Sequence, residues 1–340
     1  VPYEDPIKKG DPGHGCGHNI YASSGVGGAI ASKIAMEETG LHGTIKFLGT
    51  PAEETLVGKV FMVRDGVYDG VDAVLGHHIG TVNSATLGSS NAMNSMKFQF
   101  SGRSSHAGST PWQGRSALDA VELLNVGVNY MREHVPPQAR VHYIIQESGI
   151  QPNVVPDFAR VWYYVRAPER DIVDSIYKWI CDIAEGAAKM TQTKLEIKFQ
   201  TGVYNKLPNK TLANLIVNNM RSIGTPTYTQ EELDFARKIG EQISPEEKRT
   251  SGYACPGWED LVDVDLNTNI IDPWGEGRVS GGSTDSADVS WQAPIGEFNT
   301  GSRVLGAPGH HWMMVATSGM SIGHKNAVFA SKVHAYTVID

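Results

Sequence analysis

The chain has 340 residues, of which 40% are hydrophobic and 19% charged, and its formal net charge is −8 at pH 7. A chain of this length and composition is expected to fold as a globular protein with two domains. The acidic balance argues against a nucleic-acid or anionic-membrane partner, which would require a basic surface, and no apolar run is long enough to cross a bilayer.

The cysteine content gives an expectation about location. The three cysteines, Cys16, Cys181 and Cys255, are odd in number and widely separated, which does not suggest a disulfide framework. No signal-like segment opens the chain. We therefore expect a cytoplasmic protein, in which reducing conditions keep Cys16 free to bind a metal as a thiolate.

The first informative segment along the chain is Gly13-His14-Gly15-Cys16-Gly17-His18. Cys16 and His18 can reach one ion only if the backbone between them turns tightly, and glycine permits such a turn at little steric cost. A glycine-rich turn with incidental histidines is the alternative interpretation of this segment alone. A helix of small residues is predicted directly afterwards, over residues 29–38.

Two predicted strands then bring further polar groups to one edge of a sheet. Residues 44–50 are typical of a strand that stops at a proline, with Glu53-Glu54 just beyond it. Residues 71–76 form a short apolar run that ends before His77-His78. Because open α/β sheets place their sites beyond the carboxyl ends of strands, these acids and histidines are expected to lie together.

From residue 94 the pattern predicts a small α+β unit. Its predicted strands are residues 96–100, 140–146, 159–166 and 194–200, and its predicted helices are residues 116–132 and 171–190. The order β-α-β-β-α-β is the split βαβ plan of a ferredoxin-like domain, here inserted into a larger α/β domain. We predict the first part of the large domain at residues 1–93, the inserted domain at 94–203 and the second part at 204–340. Within the last part, residues 228–272 are expected to form a surface excursion with a short helix at 231–242.

The polar groups at the sheet edge suit a metal centre. A divalent ion in a hydrolase takes a few nitrogen, oxygen or sulfur ligands and keeps a position open for water. Cys16, His18, Glu54 and His78 offer such ligands, and a thiolate or carboxylate can bridge two ions. Glu53 would then take a proton from water while its neighbour binds metal. An exposed acidic pair at a helix start is the alternative interpretation of Glu53-Glu54.

The C-terminal region offers candidates for a last ligand. His324 follows a glycine at the start of a predicted helix, which suits a ligand, and His310-His311 are the alternative. His334 is expected to lie on a helix face. The polar segment 282–288 is expected either to hydrogen-bond the ligand histidines or to cap a helix. In the inserted domain, turn chemistry explains the serines and glycines of residues 101–108 but not His106.

Six ordered motifs resemble the di-metal amidohydrolases related to aminoacylase, auxin-conjugate hydrolase and glutamate carboxypeptidase. They are the Cys16/His18 loop, residues 51–54, His78, residues 102–107, residues 153–156 and residues 165–168. Residues 13–19 and 321–325 are most similar to the aminobenzoyl-glutamate utilization B subfamily. The resemblance implies an α/β fold with a mixed-sheet, metallopeptidase-like catalytic domain and an inserted ferredoxin-like α+β domain that serves as a lid or for dimerisation.

Carried over residue by residue, the resemblance implies a role for each motif. The implied metal ligands, for two Mn²⁺ or Zn²⁺ ions, are Cys16, His18, Glu54, His78 and His324. Glu53 is the implied general base. The resemblance further implies that His106 reaches into the active site of a partner subunit and stabilises the oxyanion there. Asn153 and Arg166 would hold the carboxylate of the substrate.

The implied function is a metal-dependent amidohydrolase that cleaves N-acyl or N-aroyl amino acids, with a small-molecule substrate similar to p-aminobenzoyl-glutamate. A dipeptidase or a deacetylase on the same scaffold is one alternative. The other is a non-catalytic subunit, which would be free to lose the ligands and the base that this chain retains. The partner is expected to be a second copy in a homodimer or a related subunit in a hetero-oligomer.

Two departures from the family pattern affect these expectations. Asn19 stands where the auxin-hydrolase branch usually has Asp, so metal affinity or preference is expected to differ. Relatives also carry helices and a first strand before the Cys/His loop. We therefore expect this chain to be a fragment, and the sequence leaves both an active and an inactive chain open.

Overall fold

A computed structural model describes residues 2–4, 12–252, 256–264 and 266–340. Cys255 lies outside the described residues. The strands are β1 Pro2–Glu4, β2 Pro12–His14, β3 Val74–Gly80, β4 Ser84–Ala85, β5 Ser89–Ser90, β6 Ala92–Ser101, β7 Arg140–Glu147, β8 Phe158–Ala167, β9 Lys194–Val203, β10 Val279–Ser280 and β11 Ile295–Gly301. The α-helices are α1 His18–Thr39, α2 Gly58–Arg64, α3 Ala117–Met131, α4 Arg170–Thr191, α5 Lys210–Ile223, α6 Gln230–Gly240, α7 Pro245–Gly252, α8 Ser286–Ser290, α9 Trp312–Ser318 and α10 Ser321–Ile339.

A mixed sheet of order β3-β11-β4 lies next to the predicted metal ligands. Strand β11 runs parallel to β3 and antiparallel to β4. Helices α1 and α10 pack against each other, and α10 also packs on α5. Apolar side chains of α5, α10 and β11, among them Ile216, Phe298 and Phe329, form the core between these elements. The first turn of α1 is therefore held beside strand β3.

The second sheet has the order β7-β8-β6-β9 and is antiparallel throughout. Helices α3 and α4 cover one of its faces and bury an apolar core that includes Phe98, Leu124, Tyr163 and Ile180. The predicted strands and helices of this region are confirmed, and their order and pairing are those of the split βαβ plan. None of the helices in the described part of the chain is both long and apolar enough to cross a bilayer.

Two local predictions require correction, and a third is confirmed and extended. Residues 44–50 take no regular secondary structure and pair with none of the described strands, so this segment lacks the inter-strand hydrogen bonds that a strand requires. His77 and His78 lie within β3 and not beyond its end, since the pairing with β11 continues to Gly80. The excursion at 228–272 contains the expected helix, as α6, and a second helix, α7.

Candidate metal centre

The Cys/His loop turns tightly before α1 begins at His18. Gly17 adopts a left-handed conformation with φ of 81°, and its N–H donates to the carbonyl oxygen of His14 at 3.2 Å. A Cβ at this position would collide with Ile79 on the neighbouring strand. The turn thus requires glycine both for its backbone angle and for its close approach to β3.

One group of candidate ligands consists of Cys16, Glu54 and His310, each with one ligand atom within 4.8 Å of the others. His310 Nε2 lies 3.3 Å from Glu54 Oε2. His78 Nε2 extends the group, since it lies 3.5 Å from the sulfur of Cys16. Thiolate, imidazole and carboxylate are ligands that Zn²⁺ accepts, so the donor set fits a divalent ion.

The tautomer of His78 follows from its backbone contact. Its Nδ1 lies 2.7 Å from the carbonyl oxygen of Ile79, which can only accept, so Nδ1 carries the proton. The lone pair of Nε2 is then directed toward Cys16. A backbone carbonyl that fixes the ring in this way is a common support for a metal-binding histidine.

A second group contains His18, Glu53 and Glu54, again within 4.8 Å of one another. His18 Nε2 lies 3.2 Å from Glu54 Oε1 and 3.8 Å from Glu53 Oε2. The acids occupy a single 3₁₀ turn, Glu53–Thr55, between left-handed residues Ala52 and Leu56. Glu54 is shared by both groups, which is the arrangement that a carboxylate bridging two ions requires.

The environment of Glu53 differs from that of its neighbour. The hydroxyl of Thr284 donates to Glu53 Oε1 at 3.1 Å, and burial raises the pKa of Glu53 above its ordinary value. The next residue, Asp285, is fully buried and accepts from both the backbone and the ammonium of Lys59, at 2.8 and 2.7 Å. The polar segment 282–288 therefore contacts the predicted base, and among the described residues it makes no hydrogen bond to the ligand histidines.

The fold places the C-terminal histidines in different environments. His310 has a positive φ of 55°, and its N–H donates to the carbonyl oxygen of Gly15 at 2.8 Å, which places its ring in the first ligand group. His324 is exposed in the first turn of α10 and belongs to neither group among the described residues. His334 is buried in α10, as expected of a helix-face residue, and burial lowers its pKa to about 4.

Tyr21 is a site residue that the sequence reasoning missed. Its hydroxyl donates to the carbonyl oxygen of Cys16, and its ring centroid lies 4.5 Å from that of His78 and 5.1 Å from that of His18. Residues three apart on a helix share a face, so the spacing from His18 was the available signal.

The thiol of Cys16 lies in a largely buried environment. Burial, more than any other cause, raises the pKa of Cys16, to about 12.

The residues predicted to contact substrate lie in and beside the four-stranded sheet. His106 is exposed and accepts hydrogen bonds at Nδ1 from the N–H groups of Gly108 and Ser109, at 3.2 and 3.1 Å. The loop that carries it pairs with the segment of Asn153, whose carbonyl oxygen accepts from the Ala107 N–H at 2.9 Å. No contact joins either residue to the two ligand groups in the part of the chain that the structure describes.

Arg166 connects the sheet to the base. Its Nη1 donates to the hydroxyl of Ser283 at 3.4 Å, and the adjacent Thr284 donates to Glu53. Burial lowers the pKa of Arg166. The predicted carboxylate-binding residue and the predicted base are thus linked through two consecutive residues of one loop.

Residues 1–262 match Peptidase family M20/M25/M40. The chain belongs to this family. Its curated relatives include one of the subunits of the p-aminobenzoyl-glutamate hydrolase of Escherichia coli (strain K12), 39% identical over 98% of this chain and 72% of that protein. They also include the Xaa-Arg dipeptidase of Mus musculus, 34% identical over 65% of this chain and 52% of that protein. The indole-3-acetyl-aspartic acid hydrolase of Enterobacter agglomerans is 31% identical over 61% of this chain and 49% of that protein.

Two solved structures share the fold of this family member at low sequence identity. An aminobenzoyl-glutamate utilization protein from Klebsiella pneumoniae is 20% identical, with a TM-score of 0.60 over 92% of this chain and 66% of that one. A Bacillus subtilis protein described as a dinuclear metal-binding peptidase of the M20 family is 16% identical, with a TM-score of 0.58 over 100% of this chain and 78% of that one.

These findings confirm the predicted family, the mixed α/β fold and the enzyme class, a hydrolase of the metallopeptidase type that acts on amide bonds. The chain spans between about half and three quarters of the length of the curated relatives named above.

Proposed function

We propose that this chain is a metal-dependent amidohydrolase that cleaves N-acyl or N-aroyl amino acids with an acidic amino-acid half. The observation that carries the proposal is the pair Glu53-Glu54, in which Glu54 belongs to both ligand groups while Glu53 belongs to the second group alone and accepts a hydrogen bond from Thr284. Two relatives support the substrate class, since their names specify p-aminobenzoyl-glutamate and indole-3-acetyl-aspartic acid.

Two divalent ions, Mn²⁺ or Zn²⁺, would be held by the clustered side chains. The proposed ligands are Cys16, His18, Glu54 and His78, with His310 and His324 as alternatives for the last position. A divalent ion bound here would lower the pKa of water and polarise the amide carbonyl. Because the thiol of Cys16 has a raised pKa, ion binding must displace its proton, and the affinity for the ion is expected to fall as the pH falls.

Glu53 is proposed as the general base. Thr284 fixes Oε1, whereas Oε2 lies 3.8 Å from His18 and is not committed to a close hydrogen bond with that ring. Burial raises the pKa of Glu53, which makes the carboxylate a stronger proton acceptor than an exposed glutamate. Glu53 would take the proton of the attacking water and pass it to the leaving amine.

His106 is proposed as the donor to the oxyanion. Its Nδ1 accepts two backbone hydrogen bonds, so in the neutral ring Nε2 carries the proton and can donate. Because its loop lies apart from the ligand groups, we propose that it acts in the site of a partner subunit. Residues 94–203 would then form a lid and dimerisation domain inserted between the two parts, 1–93 and 204–340, of a catalytic domain.

The partner is proposed to be either a second copy or a related subunit. The relative from Escherichia coli is named as a subunit of its hydrolase, which favours a hetero-oligomer and also the alternative of a non-catalytic subunit. A dipeptidase is favoured by the relative that acts on Xaa-Arg. A cytoplasmic location stays a prediction.

Mixing two inactive variants tests the role of His106 in a partner site. His106→Ala and Glu53→Gln chains, each inactive alone, are expected to recover activity when they form a mixed dimer. One site of that dimer would combine an intact Glu53 with an intact His106 from the other chain. No recovery in a mixed dimer demonstrated by mass spectrometry would contradict action in a partner site.

The proposed activity is tested by incubating the purified chain with p-aminobenzoyl-glutamate and either Mn²⁺ or Zn²⁺. Release of glutamate is expected, and a chelator should abolish it until the ion is restored. Hydrolysis of Xaa-Arg dipeptides alone would favour the dipeptidase. No hydrolysis of any amide by the ion-loaded chain, alone or with a related subunit, would contradict the proposal.

A further inference from the structure

Two arginines lie directly opposite each other on neighbouring strands of the four-stranded sheet. Arg140 of β7 pairs with Arg166 of β8 in the antiparallel register. The next pair, Val141 and Val165, is buried against the helices, so the two arginines share the opposite, open face. Side chains in such a pair have Cβ atoms about 5 Å apart.

This pair of cations is not neutralised. Among the described residues, neither Arg140 nor Arg166 forms an ion pair with a carboxylate, and the buried Nε of Arg166 has no hydrogen-bond partner. Arg140 Nη1 donates to the carbonyl oxygens of Pro137 and Ala139, at 2.6 and 2.8 Å, which fixes the guanidinium without offsetting its charge. Like charges directly opposite in a sheet are destabilising, and so is a buried donor without a partner.

The positive potential extends to the neighbouring histidine of the same face. His142 follows two residues after Arg140, and burial, then Arg166, Arg132 and Arg140, lower its pKa. The acid on this strand, Glu147, lies at the far end of β7 and is already paired with Arg160 at 2.9 Å. A bound anion is therefore the natural counter-charge for the two opposed arginines.

The arginine pair lies on the side of the sheet that meets the candidate catalytic residues. Arg166 reaches Ser283, and the adjacent Thr284 holds Glu53. A substrate with its α-carboxylate on Arg166 would thus place its amide bond toward Glu53. A second carboxylate on the same amino acid would face the same side of the sheet, where Arg140 lies directly opposite Arg166.

We propose that Arg140 is a specificity-determining residue, which binds the side-chain carboxylate of the substrate's glutamate or aspartate half while Arg166 binds the α-carboxylate. This inference rests on the proposed function and names the residue that selects the acidic half. A guanidinium suits this task because its planar fork can hold a carboxylate through two hydrogen bonds. The same pair of cations would repel the cationic half of an Xaa-Arg dipeptide.

The test compares p-aminobenzoyl-glutamate with p-aminobenzoyl-glutamine as substrates of the Arg140→Gln variant. We expect kcat/KM for the glutamate compound to fall about 10- to 100-fold, mainly through KM, the scale of one lost charge-assisted hydrogen-bond pair. The glutamine compound should be hydrolysed as by the unaltered chain. Arg140→Lys should retain part of the preference for the glutamate compound, because lysine keeps the positive charge but cannot form two parallel hydrogen bonds with a carboxylate.

Arg160→Gln is the matched control. It removes the same side chain and charge from the same face of the sheet, but from β8 and from the end away from Arg166, where Arg160 is paired with Glu147. Both substrates should be unaffected by this change. An equal effect of Arg140→Gln on both substrates, or no effect on either, would overturn the role of Arg140 while leaving the proposed hydrolysis intact.

A binding measurement separates the inference from the proposed activity. Isothermal titration calorimetry with glutarate and pentanoate compares a dicarboxylate with a monocarboxylate of the same length. The unaltered chain is expected to bind glutarate more tightly, and Arg140→Gln should abolish that difference even if the chain hydrolyses neither substrate. Equal preference for glutarate in the unaltered chain and in Arg140→Gln would overturn the inference.

Discussion

Glu53→Gln is expected to lower kcat by about 10²-fold or more, the usual scale for the loss of a general base. Glutamine keeps the size of the side chain and can still accept from the Thr284 hydroxyl, so the local geometry should be retained. What it loses is the ability to take a proton. Because Glu53 is proposed to act on water and not to hold an ion, the metal content of the variant should equal that of the unaltered chain.

Steady-state kinetics together with elemental analysis of the same preparation would measure both quantities. Glu37→Gln is a matched control, since Glu37 is an exposed acid on α1 that pairs with Lys33 on the surface, and no change in kcat is expected. If Glu53→Gln lost its metal, the separation of roles between the two adjacent acids would be wrong.

Glu54→Gln is expected to lose metal and, with it, all metal-dependent activity. Its two oxygens serve different groups, since Oε1 lies 3.2 Å from His18 and Oε2 lies 3.3 Å from His310. Among the described residues, Glu54 is the acid common to both ligand groups. A neutral amide would remove the negative charge that Glu54 would offer to an ion in either group.

Inductively coupled plasma mass spectrometry of the Glu54→Gln variant measures this loss directly. Circular dichroism should show unchanged secondary structure, because Glu54 lies in a short 3₁₀ turn outside the apolar core. A variant that retained the metal content of the unaltered chain would contradict the role of Glu54 as a bridging ligand.

The sequence predicted the elements of the inserted region well because each has its own hydrophobic period. Helix α3 illustrates this, since Ser116 caps its first turn by accepting from the Asp119 N–H, and Leu124 and Val128 repeat on the buried face. Residues 44–50 have a strand-like composition, yet a strand also requires a partner edge. Strand β11, more than 200 residues later in the chain, pairs with one edge of β3, residues 44–50 pair with none of the described strands, and no local pattern encodes this outcome.

The candidate site was predicted where its residues are close in sequence. Cys16 with His18, and Glu53 with Glu54, are recognisable from spacing alone, and in the structure Cys16 lies in the first ligand group, His18 and Glu53 lie in the second, and Glu54 lies in both. The approach of His310 depends on a left-handed backbone and on a hydrogen bond to Gly15, which sequence spacing does not reveal. The contact of Thr284 with Glu53 was not predicted for the same reason, since only tertiary folding brings the polar segment 282–288 to this acid.

The most direct test of the dinuclear site is the number of divalent ions retained by the purified chain. The protein would be loaded with Mn²⁺ or Zn²⁺, dialysed against metal-free buffer and analysed by inductively coupled plasma mass spectrometry. We expect close to two ions per chain, in line with the two ligand groups that share Glu54. A chain that retained no ion after loading, while remaining folded, would contradict the proposed metal centre.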